Sequence, residues 1–242
     1  MTNSDILGLV ASYAYATSLL IIGEVLLRRF NLPPDFTRKL IHISAGMWVF
    51  GVLALFDHWA IGIVPFVTFI PLNYFFYRYR VLKSVDGGSD SPGTVYFAIS
   101  VTLLFGLLWR PDGPVDNVPI AVAGVMAMTW GDALAALIGK RYGRHQYQVG
   151  QSVRSWEGSV VMFLASTVVM FLVLLLLPGS ELSPLSTSFA IANAFGVALI
   201  SAACATLVEA VSPHGTDNLS VPLVAAGVAG LMLQGFYVFG GV

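Results

Sequence analysis

The sequence predicts an all-α polytopic membrane protein, a bundle of about eight transmembrane helices with both termini on the non-cytosolic side. Its 242 residues are 57% hydrophobic and only 10% charged, with a mean hydropathy of +0.80. Soluble domains typically carry about 25% charged residues, so this composition excludes an ordinary soluble fold. Because no change of composition marks a second unit, residues 1–242 are expected to form a single integral membrane domain.

Eight apolar runs approach the length of about 20 residues that a spanning helix needs. Only Asp57 and His58 separate the second run from the third, so one of these two could be re-entrant, which would leave seven spans. The runs cover residues 6–27, 40–56, 59–77, 94–109, 118–138, 158–177, 188–211 and 221–239.

The basic residues indicate the orientation of the bundle. With eight alternating spans, all of the 12 Lys and Arg residues except Arg110 fall in connections on one side. Cytosolic loops are enriched in Lys and Arg, so that side is predicted to be cytosolic. Residues 1–5 lack the cationic region of a signal peptide and no Arg- and Ser-rich transit segment is present, which favours the cytoplasmic membrane of a prokaryote.

Other features exclude some classes of function. No basic tail or Arg-rich strip indicates nucleic-acid binding. The single cysteine, Cys204, excludes an intramolecular disulfide and a cysteine-based zinc cluster.

Two runs carry small residues spaced four apart, which lets helix backbones approach closely and predicts that both helices are central in the bundle. Each of these runs also carries an acid near its cytosolic end, Asp132 in the fifth and Glu209 in the seventh. The small residues are Ala127, Gly131, Ala135 and Gly139 in the fifth run, and Ala190, Ala194, Ala198 and Ala202 in the seventh.

Asp132 is the most informative single residue. A carboxylate at membrane depth is costly, so it usually faces the bundle interior, a partner or a metal. It precedes Gly139 by seven residues, which places it roughly 10 Å below the expected end of the helix. A magnesium or phosphate-binding carboxylate is one interpretation, and a structural ion pair with an arginine of a neighbouring helix is the other.

A group of cations follows Asp132. Lys140, Arg141 and Arg144 could serve only to orient the chain, but Arg154 and Glu157 come next, three apart. We expect these two on one helical face, close to a free helix N-terminus that favours anions. Glu157 could instead simply complement the helix dipole.

Two further clusters are predicted at the same membrane face. The last cytosolic loop carries Glu209, His214, Asp217 and Asn218, whose oxygen and imidazole donors suit a divalent cation, although a turn with Asp217 as a helix cap would also fit. At the start of the second run, Arg38, Lys39 and His42 share one helical face, where Arg38 and Lys39 could also anchor lipid headgroups.

The opposite face of the membrane is almost featureless. A phosphate donor from the cytosol and an acceptor dissolved in the membrane would suit this arrangement.

Several segments resemble the phytol kinase and dolichol kinase family, which is related to the CDP-diacylglycerol synthase superfamily. They are Arg-Lys-Leu-Ile-His-Ile (38–43), Gly-Asp-Ala-Leu-Ala (131–135), Ile-Gly-Lys-Arg-Tyr-Gly-Arg-His (138–145), Ser-Trp-Glu-Gly-Ser (155–159), Ala-Thr-Leu-Val-Glu-Ala (205–210) and Asp-Asn-Leu-Ser-Val-Pro-Leu (217–223). Arg154-Ser155 stands where the synthases have Lys-Thr, and the synthases' Lys-Asp pair and full glycine-rich final run are missing. These departures favour the kinase branch.

The resemblance implies transfer of a phosphate from a nucleoside triphosphate, typically CTP, to a lipid alcohol. In this interpretation Asp132 and Asp217 hold Mg²⁺, the bound nucleotide contacts a set of polar and cationic residues, and His42, Glu209 or Glu157 orients the acceptor hydroxyl as a base. The nucleotide set comprises Arg38, Lys39, Lys140, Arg141, Arg144, Arg154, Ser155 and Asn218.

Two alternatives remain at this point. A cytidylyltransferase of the CDP-diacylglycerol synthase type would use a similar site, and a transporter would not be an enzyme at all. The sequence leaves open which alcohol is used (phytol, geranylgeraniol, farnesol, a longer polyprenol or diacylglycerol) and whether the protein is a monomer or a homodimer.

Overall fold

The computed structural model describes residues 1–81, 91–150, 152–213 and 215–239. His214, a residue of the predicted last cytosolic loop, lies outside the described residues, as do the basic residue Lys83 and the glycine-rich stretch 86–90. The described helices are α1 (Asn3–Arg29), α2 (Pro34–Leu55), α3 (Trp59–Gly62), α4 (Val64–Tyr79), α5 (Gly93–Leu108), α6 (Val118–Met126), α7 (Ala133–Tyr142), α8 (Trp156–Leu176), α9 (Ile191–Val211) and α10 (Asp217–Phe239). A π-helical turn (Ala127–Asp132) joins α6 to α7, and strands β1 (Gln146–Val149) and β2 (Ser152–Ser155) form a hairpin.

The eight predicted spans each correspond to a helical segment. Within the described ranges, six segments are long and apolar enough to cross a membrane: α1, α2, α3–α4, α6–π–α7, α8 and α9. Helix α5 is a shorter apolar helix, and α10 covers the last predicted run with 23 residues. The second and third runs form separate helical segments, so the described residues contain eight such segments rather than seven, and the chain is a multi-pass membrane protein.

The α6–π–α7 segment lies at the centre, as the small residues of the fifth run predicted. In its most apolar stretch 72% of the residues are buried, against 17–33% in the corresponding stretches of the other five long segments. A Cβ added at Gly131 would overlap Ser166 of α8, and one added at Gly46 of α2 would overlap Thr129. Only glycine therefore permits the observed spacing between these helices.

Helix α9 does not share this central position, so that part of the prediction was wrong. Ala194, Ala198 and Ala202 are completely buried where α9 packs against its neighbours, but Ala190 precedes the helix and is exposed. Leu207 on another face is 69% exposed. A row of small residues indicates close packing on one side of a helix only. Helix α9 is closely packed on that side and exposed on another.

The β-hairpin corrects the expectation that Arg154 and Glu157 share a helical face. Arg154 lies on β2, opposite Tyr147 of β1, and α8 begins only at Trp156, with the Ser155 hydroxyl accepting from the Gly158 amide. Gly150 adopts a positive φ of 58° at the turn, a conformation that glycine reaches without strain. This turn lets the chain fold back on itself before α8 starts.

The far end of the bundle is not featureless, contrary to expectation. Asp5 is completely buried and accepts hydrogen bonds from the backbone amides of Asp57 and His58, which holds the short connection between α2 and α3. Asp116 is also buried and accepts from the Arg110 amide and the Ser183 hydroxyl. Both acids satisfy loop backbone or hydroxyl groups, so their role is structural.

Candidate active site

The π-helical turn shapes the site at the basic end of the bundle. A π turn bonds residue i to residue i+5 and often marks a functional position. Here the Met128 carbonyl accepts from Nε2 of His42 at 3.4 Å, and the Ala127 carbonyl accepts from the Ser166 hydroxyl at 3.2 Å. The turn thus connects the central segment to α2 and α8, and it ends at Asp132.

Asp132 forms a buried ion pair with Lys39 of α2. Lys39 is 8% exposed and Asp132 is 7% exposed. The partner is a lysine, not the arginine that the structural interpretation had assumed. Because a buried charge is costly unless it is paired, each residue needs the other when no ligand is bound.

A second ion-paired group lies beside the first. Arg154 on β2 contacts Glu209 of α9, with Nε 2.8 Å from Oε1, and Asp217 at the start of α10, at 3.3 Å. Both acids are buried, at 5% and 7% exposure. One guanidinium therefore joins the ends of two helices to the hairpin.

The two groups form one electrostatic cluster. The charge of Asp132 acts on Glu209 and Asp217, and Lys39 and Arg154 act on both of these acids as well. Three carboxylates and two cations thus come together from five separate elements. The three acids therefore lie together at one end of the bundle, as predicted.

A polar cavity of about 270 Å³ opens next to this cluster. Asp132 and Glu209 both line it, together with Lys140, Arg154, Ser155 and Gln146. The acids of the fifth and seventh predicted spans therefore face one hollow. Cations, a hydroxyl and carboxylates around such a hollow suit the phosphates of a nucleotide and a divalent cation.

A second cavity, of about 190 Å³ and mostly apolar, lies between α1, α2, α4 and α5. Arg38, Lys39, His42 and Asn218 line its polar end. Lys39 thus lines the apolar cavity while its partner Asp132 lines the polar one, so the ion pair stands where the two cavities meet.

Curated relatives support the same kind of chemistry. The chain is 36% identical over 224 residues to the phytol kinase of Synechocystis sp., covering 92% of this chain and 89% of that protein. The chain belongs to the phytol kinase family. It is therefore a phosphotransferase with an alcohol acceptor.

Two further relatives match the chain at lower identity. A probable chloroplastic phytol kinase of Triticum aestivum is 28% identical over 247 residues, covering 96% of this chain and 76% of that protein. The dolichol kinase of Schizosaccharomyces pombe is 31% identical over 129 residues, covering 53% of this chain and 23% of that protein. No family model matches the chain.

The nucleotide residues predicted from the phytol kinase family resemblance divide between the two cavities. Lys140, Arg154 and Ser155 line the polar cavity, whereas the other residues that line a cavity, Arg38, Lys39 and Asn218, belong to the apolar one. Arg141 and Arg144 are exposed and line neither cavity.

Lys140 also pairs with Asp35 at the start of α2, a partner that was not predicted from the sequence. Asp35 follows Pro33-Pro34, an arrangement typical of a helix start, which was the available signal.

The three candidate bases occupy different surroundings. His42 lines the apolar cavity and packs on Phe97 with 4.9 Å between ring centroids. Glu209 lines the polar cavity. Glu157 lies outside both, where it accepts from the backbone amides of Arg144 and His145 and contacts Nδ1 of His145 at 2.7 Å.

The donor set fits a divalent cation that arrives with a nucleotide. Among the residues that the structure describes, no group of three or more His, Cys, Asp or Glu side chains is placed to hold a metal without a ligand. Magnesium in phosphoryl-transfer sites usually needs only one or two carboxylates, with phosphates and water completing its shell. Asp132 and Asp217 could supply those carboxylates once their cations move.

Proposed function

We propose that the protein is a CTP-dependent kinase that transfers a phosphate to an isoprenoid alcohol, such as phytol, geranylgeraniol or a polyprenol, at the cytosolic face of the membrane. The observation that carries this proposal is the position of the Lys39–Asp132 pair between a polar and an apolar cavity. A water-soluble donor and a lipid acceptor need two such compartments with a common boundary.

In the proposed reaction, the acceptor hydroxyl oxygen attacks the γ-phosphorus of the nucleotide. The bond between that phosphorus and the β,γ-bridging oxygen breaks, CDP leaves, and the hydroxyl proton passes to a base. Catalysis of such transfers is mostly positioning and electrostatic stabilisation. Arg154 and Lys140, at the polar cavity, are placed to neutralise the phosphates.

Asp132 and Asp217 would hold Mg²⁺, which supplies neutralisation of the phosphate oxygens when it is bound. Both carboxylates are now balanced by Lys39 and Arg154. When a cation takes over the carboxylates, these two side chains are released toward the phosphates. The same residues then stabilise the free protein and bind the donor.

His42 is the base that the surroundings favour. It lines the apolar cavity beside Lys39, so an acceptor hydroxyl at the polar end of that cavity would lie within its reach. Its Nε2 faces the Met128 carbonyl, which leaves Nδ1 as the acceptor for a proton. Glu209 is engaged by Arg154, and Glu157 lines neither cavity and accepts from the backbone amide of Arg144.

The test is a phosphorylation assay with the purified protein in lipid nanodiscs. Labelled CTP, ATP, UTP and GTP are each offered with phytol, geranylgeraniol and a long polyprenol. We expect a phosphorylated isoprenoid and CDP with CTP as the preferred donor, and no product from Asp132→Asn. Pyrophosphate instead of CDP would indicate cytidylyl transfer, and full activity of Asp132→Asn would contradict the role of this carboxylate.

The cytosolic assignment is supported by the distribution of cations, and labelling can test it. After Cys204→Ala, single cysteines are introduced by Tyr142→Cys at the basic end and Glu181→Cys at the other, both at exposed positions. In intact cells we expect a membrane-impermeant maleimide to label the Glu181→Cys protein and to spare the Tyr142→Cys protein. The reverse pattern would contradict the assignment.

A further inference from the structure

The β-hairpin gives one part of the polar cavity a different chemical character from the rest. Gln146 of β1 and Val153 of β2 both line the cavity, and neither is charged. We propose that these two residues form the subsite that binds the nucleobase of the donor. The inference rests on the proposed function and adds which residues contact the base. The charged side chains that line the same cavity are Asp132, Lys140, Arg154 and Glu209.

The strand register places the two uncharged side chains on one face of the hairpin. Gln146 lies opposite Ser155, and Val153 precedes Ser155 by two residues on β2. Residues that are opposite each other, or two apart in one strand, point to the same side, so Gln146 and Val153 are diagonal neighbours. Such neighbours are about 7–8 Å apart. One side chain can therefore contact the face of a planar ring while the other reaches its edge.

Val153 offers an apolar surface for the face of a base. Its side chain is 56% exposed. Among the described residues that line the polar cavity, it is the only apolar one larger than alanine. Proteins hold nucleobases by apolar contact with the ring and by hydrogen bonds to its edge. Val153 supplies the first of these two contacts.

Gln146 can supply the second contact. An amide presents one acceptor oxygen and donor hydrogens in a single plane. Cytosine carries an amino group next to the acceptor nitrogen N3, so Oε1 of Gln146 can accept from the amino group while Nε2 donates to N3. Glutamine recognises adjacent donor and acceptor groups of a base in this bidentate way.

The rest of the described cavity lining cannot replace Gln146. The Ser155 hydroxyl accepts from the Gly158 amide at 3.1 Å, and the Ser159 hydroxyl is hydrogen-bonded to the Tyr147 hydroxyl at 2.6 Å. The charged side chains suit phosphates and a divalent cation rather than a neutral ring. The remaining lining residues are Ala135, Ala136, Gly139 and Gly158, whose side chains carry no polar atom.

The hairpin is held on two sides, which fixes its face relative to the charged cluster. The Tyr147 ring packs on Trp156 of α8 with 5.1 Å between ring centroids, and the Trp156 amide donates to the His145 carbonyl at 3.0 Å. On the other strand the Ser152 hydroxyl donates to the Ser212 carbonyl, beyond the end of α9, at 3.2 Å. A base that contacts this face is therefore positioned together with the phosphates.

The decisive experiment compares Gln146→Leu with the unchanged protein on two donors. One donor is CTP, and the other is its 2-pyrimidinone analogue, which lacks only the amino group. In the unchanged protein KM for the analogue should exceed KM for CTP about fivefold, because one hydrogen bond to the base is lost. Gln146→Leu should raise KM for CTP about tenfold with little change in kcat, and it should bring the ratio of the two KM values close to one.

Gln148→Leu is the matched control. Gln148 lies on the same strand two residues away, is exposed, does not line the cavity and donates its amide to the Gly150 carbonyl at 3.0 Å. It should leave the ratio of the two KM values unchanged. Inorganic triphosphate is the second control, because it carries phosphates without a base. Its inhibition constant should stay within about twofold in both variants, as expected when the phosphate contacts are intact.

Val153→Ser tests the contact with the face of the ring. It should raise KM for CTP and for the analogue by the same factor, about threefold, because both rings lose the same apolar contact. The ratio of the two KM values should therefore stay at about fivefold, unlike that of Gln146→Leu. No change in either KM would remove Val153 from the subsite.

The outcomes distinguish this inference from the proposed function. If the unchanged protein uses CTP but does not discriminate against the analogue, the amino group is not bound and the inference is overturned. The same holds if Gln146→Leu keeps the fivefold ratio, or if it weakens inhibition by inorganic triphosphate as much as it raises KM for CTP. If the unchanged protein phosphorylates no alcohol with any nucleotide, the proposed function itself is wrong.

Discussion

Lys39 on α2 and Asp132 at the end of the π-helical turn form a buried ion pair that separates a polar cavity from an apolar one. The residues are 93 positions apart in the chain. Each belongs to a different cavity, so any ligand that enters either cavity meets one member of the pair. A structural role and a catalytic role are both available to such a pair, and they have different experimental consequences.

The first prediction separates these two roles. Lys39→Met or Asp132→Asn alone leaves the other residue without its partner, and breaking a buried pair costs about 3–5 kcal/mol of stability. The double variant removes both charges and should recover most of the lost thermal stability, measured by unfolding of the detergent-solubilised protein. Kinase activity should stay below detection in the double variant. Recovery of both properties together would assign the pair a structural role only.

The second prediction concerns Arg154, which joins Glu209 and Asp217 at the polar cavity. Arg154→Gln should raise KM for CTP by about tenfold or more, because a charge-assisted contact to phosphate contributes about 1.5–3 kcal/mol. KM for the alcohol should change little. Arg78→Gln, at an exposed position on α4, is the control for a loss of charge at the same end of the bundle. Equal effects of both variants would indicate a general electrostatic effect rather than a contact.

The third prediction ranks two acids. Glu157 accepts hydrogen bonds from the turn that precedes the hairpin and lies outside both cavities, whereas Glu209 lines the polar cavity. Glu209→Gln should therefore lower kcat by at least about tenfold more than Glu157→Gln does, since only the former alters the charge beside the phosphates. Steady-state rates at saturating CTP and alcohol measure this ratio. A larger loss for Glu157→Gln would return that residue to the list of candidate bases.

The fourth prediction concerns the close contact between α2 and the central segment. A Cβ at Gly46 would overlap Thr129, so Gly46→Ala should destabilise the protein by about 1–3 kcal/mol. A Cβ at Gly196 of α9 meets nothing within 4 Å, so Gly196→Ala should be neutral or slightly stabilising. Thermal unfolding of the two variants compares them directly. Equal stability of the two would mean that α2 can move away from the π turn without cost.

The fifth prediction concerns the metal. Chelation with EDTA should abolish phosphorylation and added Mg²⁺ should restore it. Asp217→Asn should raise the Mg²⁺ concentration needed for half-maximal rate, because it removes one candidate carboxylate ligand. Asn218→Asp places an additional carboxylate next to Asp217 and should have the opposite effect, a lower Mg²⁺ concentration for half-maximal rate. A rate that is independent of Mg²⁺ in the unchanged protein would refute the metal role of Asp132 and Asp217.

The sequence predicts the spans well, because hydropathy and the number of residues needed to cross a bilayer are local properties. The eight runs match eight helical segments, although α2 begins at Pro34 rather than at residue 40, and α7 continues to Tyr142, beyond Gly139. At the start of α2 and the end of α7, the helix continues through polar and charged residues beyond the apolar stretch. Asp132 is thus further from the helix end than spacing from Gly139 indicated.

The details of the site depend on tertiary contacts that a single sequence does not encode in its spacing. The pairing of Lys39 with Asp132 joins distant segments, and Arg154 reaches its two acids only because the chain forms a hairpin before α8. The apolar cavity is lined by side chains such as Trp48 and Phe66, which look like ordinary membrane-span residues. Nothing in their sequence distinguishes a cavity wall from a lipid-facing surface.

The π-helical turn also makes the central segment sensitive to changes in length. Such a turn holds one residue more than an α-helical turn, and each α-helical residue accounts for about 100° of rotation. Deleting a single codon within 127–131 would remove this additional residue and let the turn close into regular α geometry, with Asp132 kept close to its present direction. Deleting a single codon in α6 removes no such surplus, so Asp132 would swing by roughly 100° relative to the neighbours of α6 and turn away from Lys39. That mutant gene would encode a protein that inserts into the bilayer but lacks the ion pair.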